Sequence, residues 1–104
     1  MENHNILIPV RGEGEDAKIT LIAEREKWAL VEVGSGKIQQ IRWYEDRSSI
    51  DTFIDMVVVK SRKDEVADFF ADSIPVLEAP LQRTIDDIFE AYMFKELYEV
   101  PIQF

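Results

Sequence analysis

The chain has 104 residues, 46% hydrophobic and 32% charged, which is enough apolar material for one buried core and too little length for two domains. Its 21 acidic and 12 basic residues give a formal net charge of -9, which opposes non-specific attraction to nucleic acid or to an anionic membrane. The absence of cysteine excludes disulfides, thiolate metal ligands and thiol catalysis.

The opening MENHNILIPV lacks the basic and long apolar stretches of a secretory signal. No segment approaches the ~20 apolar residues of a membrane span, so a cytoplasmic location is the expectation. His4, the one histidine, reads as a tail residue. Residues 5–10 (NILIPV) are short and rich in branched side chains, and predict a buried first strand in which Pro9 forces an irregularity or an unpaired amide. The loop RGEGED follows. It lacks the GxxxxGK[ST] spacing of a phosphate loop and the regular oxygen ligands of a calcium loop, and Glu13, Glu15 and Asp16 would repel a phosphate, so it reads as a surface turn.

Residues 18–22 (KITLI) predict a short extended piece. Residues 27–33 (KWALVEV) and 37–44 (KIQQIRWY) flank Gly34-Ser35-Gly36 and predict a hairpin with a three-residue connection. Its second arm has no clean two-face alternation. EDRSSIDTF allows one helical turn from Ser48 or Ser49, and residues 54–60 (IDMVVVK) form an unalternated apolar run suited to a strand buried on both faces. In the stretch that follows, Ser61 and Asp64 resemble a capping box, and Val66, Phe69 and Phe70 share one helical face. Residues 74–77 (IPVL) predict a last strand, with Pro75 marking an edge. Thr84 opens a second helix with Asp87 three residues on and Ile85, Ile88, Phe89, Tyr92, Met93 and Leu97 at helical spacing. An antiparallel front half thus joins a parallel βαβα back half, and the right-handed crossover favours one mixed sheet over a single domain, 1–104.

Four stretches, ILIPVRGEGEDAKIT, WALVEVGSGKI, FIDMVVVK and APLQRTIDDIFEAYMFKEL, resemble in order and spacing the dinitrogenase iron-molybdenum cofactor biosynthesis family, the NifX-like proteins. The resemblance covers nearly the whole chain. It implies an α/β, ribonuclease H-like fold with a five-stranded mixed sheet in the order 3-2-1-4-5, and the role of a non-enzymatic accessory protein. It also suggests an iron–sulfur or iron-molybdenum cofactor precursor as cargo. The missing cysteines argue against that cargo, as does the family histidine motif HFG, replaced here by Leu21, Ile22 and Ala23. The family's glycine pair after the fourth strand is replaced by KSRKD.

A nuclease of ribonuclease H-like architecture would need a carboxylate on the first strand to hold its metals, and NILIPV has none. No nucleophile–base pair, metal box or cofactor motif is present, so no enzyme is expected. Open α/β sheets bind ligands beyond the carboxyl ends of their parallel strands. That edge is expected to carry Arg11 and Gly12, then Lys60, Ser61, Arg62 and Lys63, then Gln82, Arg83 and Thr84, with Ser61 and Thr84 as anion-favouring helix starts. Five of the twelve basic residues would gather there, around an anionic ligand or an acidic segment, unless they pair with Glu13, Glu15, Asp16 and Asp64. A competing expectation is a small protein–protein interaction or regulatory module without cofactor. The tail YEVPIQF, through Val100, Ile102 and Phe104, either covers its own core or joins a partner or second copy through residues 100–104.

Overall fold

The branched run near the start of the chain forms β1 (His4–Arg11), and its neighbours are set by which faces of it must be covered. The computed structural model describes residues 3–101. Ile6, Ile8 and Val10 project into one apolar cluster and Leu7 into another on the opposite face, all essentially inaccessible to solvent. A strand buried on both faces needs cover on both, and two helices supply it. α2 (Ile85–Met93) seats Ile85 and Ile88 in the first cluster, and α1 (Ala67–Ala71) seats Phe69 in the second.

The remaining strands are β2 (Lys18–Ile19), β3 (Lys27–Gly34), β4 (Lys37–Tyr44), β5 (Met56–Val59), β6 (Val76–Glu78) and β7 (Tyr98–Val100). The sheet runs β4-β3-β1-β5-β6-β7, with β2 paired to the end of β1. β1, β5 and β6 are mutually parallel, and the β3–β4 hairpin and β7 run antiparallel to their neighbours. The mixed α/β sheet is as expected, but it has seven strands rather than five, and its order is accordingly longer than 3-2-1-4-5. β7 takes the edge that Pro75 was expected to mark. Val100 is buried in the second cluster, while Ile102 and Phe104 lie outside the described residues. His4 is not tail but the first residue of β1, opposite Val33.

Three local devices account for other departures. The hairpin turn holds two residues, not three, because Gly34 pairs with Lys37 and Ser35 and Gly36 both take positive φ, as a type I′ turn requires. Opposite Glu32 and Val33 of β3 the β4 register slips, so Gln39 is the extra residue of a bulge. That slip brings Ile38, Ile41 and Trp43 onto one face and explains why the arm shows no simple alternation. α2 ends at Met93, earlier than an apolar spacing that runs to Leu97 suggests, and both helices close in the same way. Glu96 N–H donates to Ala91 C=O at 2.8 Å around Lys95 (φ 58), and Ile74 N–H to Phe69 C=O at 2.8 Å around Ser73 (φ 60). These are Schellman endings without the usual glycine.

The capping box at Thr84 is present: Asp87 N–H donates to Thr84 Oγ1 at 3.1 Å and Thr84 N–H to Asp87 Oδ2 at 3.5 Å. The Ser61 cap is not. α1 starts six residues later with no side-chain cap, because the Asp64 carboxylate accepts from the amides of Ile22 (2.9 Å) and Glu65 (2.8 Å). The single turn expected from Ser48 or Ser49 starts earlier and spans Arg47–Ser49. Among the described residues no helix is long and apolar enough to cross a membrane.

Candidate functional site

The parallel strands β1, β5 and β6 end together at Arg11, Val59 and Glu78, so that Lys60 and Ala79 follow directly at the edge where open α/β sheets take their ligands. β2 occupies this edge. Ile19 lies opposite Val10 and Lys18 opposite Arg11, and on its other side β2 meets the segment leading into α2, with Ile19 N–H donating to Arg83 C=O at 2.8 Å and Lys18 bridged to Thr84. The two-residue strand thereby draws Lys18 and Arg83 together beside Lys60. With Pro80, Leu81 and Gln82 they line a pocket of about 140 Å³.

Each expected site residue has a definite place. Lys60 and Arg83 share this pocket, and Lys18, expected only as part of a short extended piece, joins them. Arg11 stands across the β1–β2 ladder from Lys18, an unfavourable like-charged pairing, and does not itself line the pocket. None of Arg11, Lys18, Lys60 and Arg83 makes an ion pair within 4.0 Å among the described residues. The expected ion pairs with Glu13, Glu15, Asp16 and Asp64 are not seen for them: Glu13 faces Lys27 at 3.8 Å, Asp64 is held by backbone amides, and the Lys18 ammonium donates to the main-chain carbonyl of Asp16 at 3.4 Å rather than to its carboxylate.

Gly12 shapes the turn rather than offering its amide. It sits at φ +92, a Cβ there would come within 3.1 Å of Asp16 O, and its N–H donates to Glu26 Oε1 at 2.8 Å. Ser61 Oγ accepts from Lys63 N–H at 3.2 Å, a local turn with no helix start behind it. Thr84 caps α2, but the capping box and the neighbouring Asp86 and Asp87 occupy that terminus with carboxylates, so the helix start does not favour an anion. Side-chain cations therefore supply the charge of the pocket.

Arg62 is turned away from this group. Glu78 accepts from its backbone N–H at 2.8 Å, its Nη2 at 3.1 Å and its Nε at 3.2 Å. The Arg62 amide, outweighing the opposite pull of burial, and then the guanidinium hold the Glu78 carboxyl below its usual range. A carboxyl lowered in the folded state stabilises the fold above its unfolded pKa, and that contribution disappears as the pH falls through the folded value. The urea midpoint of the protein is thus expected to exceed that of Glu78→Gln by a constant margin from about pH 6 to 8, with the gap narrowing below about pH 4. A margin that widened in acid would remove the latch. Tyr92, pushed up by burial and then by the Asp55 charge, lies on α2 and does not line the pocket.

Two stretches noted above as departures from the family pattern meet in space. Ile22, within Leu21-Ile22-Ala23, donates its amide to Asp64, the last residue of KSRKD. The donor set does not fit a ligated metal cluster. The chain has no cysteine, His4 stands at the amino end of β1, far along the strand from Arg11, and no three of His, Asp and Glu converge among the described residues.

No protein-family model and no curated protein matches the sequence. Solved structures match the fold over almost its full length. A crystal structure of a candidate dinitrogenase from Methanocaldococcus jannaschii has a TM-score of 0.73 at 14% identity, covering 99% of this chain and 100% of that one. The NMR structure of the same protein gives 0.74 at 14% identity, over 99% and 98%. The NMR structure of a candidate NifB protein from Thermotoga, described as a DUF35 family member, gives 0.71 at 13% identity, over 97% of each chain. The shared fold reaches from β1 to β7. At such identities the likeness establishes architecture, and function must be argued from the site.

Proposed function

We propose that the chain is a non-enzymatic accessory protein of NifX-like type, with a ribonuclease H-like sheet, that holds a small anion at the carboxyl edge between β1, β5 and the segment before α2. The observation that carries this reading is the convergence of Lys18, Lys60 and Arg83 on one pocket without internal counter-ions among the described residues. Like charges held together in a folded protein are unfavourable unless something neutralises them, and a bound anion does so. At about 140 Å³ the pocket suits one oxyanion group, such as a phosphate, and not a metallocluster. The full-length likeness to candidate dinitrogenase and NifB proteins supports the accessory role, and this protein diverges from metallocofactor carriers in its donors. No side chain at the pocket offers a nucleophile with a base beside it, which favours binding over catalysis.

Titration with inorganic phosphate, followed by amide NMR, tests the reading. Saturable shifts are expected at Ile19, Lys60 and Arg83 by about 10 mM phosphate, weakening as sodium chloride is added. Shifts that are absent or scattered over the surface would leave the rival interaction module as the better account.

A further inference from the structure

α2 is nine residues long and packs over the middle of the sheet, so it does not reach across the outermost strand, β4. The Gln39 bulge sets Ile38, Ile41 and Trp43 on that uncovered face, and all three remain only partly buried. The opening loop at Gly14–Glu15 and the first turn of α2 at Ile85–Asp86 wall the floor into a groove of about 430 Å³, room for two or three side chains. Glu15 and Asp86 are exposed on its rim, and neither forms an ion pair within 4.0 Å among the described residues.

We propose that this groove docks a partner-protein segment in which a Lys or Arg adjoins a large apolar side chain. An apolar floor favours a side chain that gains by leaving water, so a purely polar segment has little to gain there. Two unpaired carboxylates on the rim, on a protein of net charge -9, attract a cation and repel an acidic segment. The indole of Trp43 offers a further surface to a cation that comes within about 6 Å of its face. A second copy of this chain is the poorer occupant, since two molecules of charge -9 repel and the same carboxylates would face each other's acidic surface. The groove is separate from the cationic pocket: no residue lines both.

The two tryptophans make the test direct, because Trp28 is 2% exposed and Trp43 lines the groove. A short peptide alternating Leu and Lys is titrated in, and the two indole N–H signals are followed by NMR, with a Leu–Glu peptide as control. The Leu–Lys peptide is expected to shift the Trp43 signal and spare that of Trp28, and the Leu–Glu peptide to shift neither. Glu15→Lys, an exposed change that leaves the Thr84–Asp87 capping box untouched, is expected to weaken the response about tenfold, whereas Lys60→Glu with Arg83→Glu leaves it intact. Equal response to both peptides, no response, or a Trp43 shift that depends only on protein concentration and tracks dimer formation would overturn the proposal.

Discussion

Trp28→Ala is expected to destabilise the protein by about 3–5 kcal/mol, the range for deleting a large buried aromatic side chain. Trp28 lies in β3 at 2% exposure and belongs to the cluster that holds Leu7, Leu30, Val57 and Val59 against Phe69 of α1. Its ring meets Phe69 edge-on, with centroids 5.8 Å apart and planes at 74°, and carries the Arg25 guanidinium 4.8 Å from its centroid. Edge-to-face and cation contacts of this kind add about 0.5–1.5 kcal/mol each beyond area burial. The indole N–H has no hydrogen-bond partner among the described residues, however, and a shielded orphan donor costs about 1–3 kcal/mol. Trp28→Phe removes that donor along with part of the ring, so it is expected to cost far less than Trp28→Ala, within about 1.5 kcal/mol. Urea unfolding measures both. Equal losses for Phe and Ala would show that packing against Phe69 is not what Trp28 contributes.

The second large effect is on binding. Lys60→Glu with Arg83→Glu replaces two of the three cations of the carboxyl-edge pocket with like-charged repulsion for the ligand. Charge-assisted hydrogen bonds are worth about 1.5–3 kcal/mol each, so loss of two predicts phosphate binding at least about 100-fold weaker than in the unmodified protein. Both side chains are exposed and unpaired among the described residues, so the urea midpoint is expected to hold within about 0.5 kcal/mol. Phosphate affinity that survives the double reversal, measured by calorimetry, would move the anion elsewhere or remove it.

The long apolar runs were legible because their signal is local. NILIPV, MVVV and the Thr84–Asp87 capping box each carry their structure in consecutive residues or at fixed spacing. What escaped depends on contacts distant in sequence. Lys18 joins the pocket only because β2 pairs with Arg11 on one side and bridges to Thr84 on the other, and no pattern in KITLI announces either neighbour. The end of α2 is hidden because Lys95 adopts the left-handed conformation that glycine usually marks. The Ser61 cap was plausible in sequence, yet Asp64 had a better-placed donor in Ile22, 42 residues away. Arg62 falls with the ligand edge in sequence for the same reason: its partner Glu78 lies 16 residues on and becomes its neighbour only when β5 and β6 pair.

The bulge at Gln39 has a consequence for how molecules of this protein meet one another. An open sheet has two bare margins, and each can template a stranger's backbone. On one margin β7 offers three residues, too short to seed much pairing. The other margin, β4, is eight residues long and would be the hazard, but Gln39 breaks its regular ladder and turns its side chain to Gly34 C=O at 2.6 Å. Exposed Lys37 and Arg42 sit on either side of the break. The same inserted residue that assembles the apolar face of the groove therefore also interrupts the strand that could otherwise have nucleated stacked aggregates, and a lineage that lost it would lose both at once.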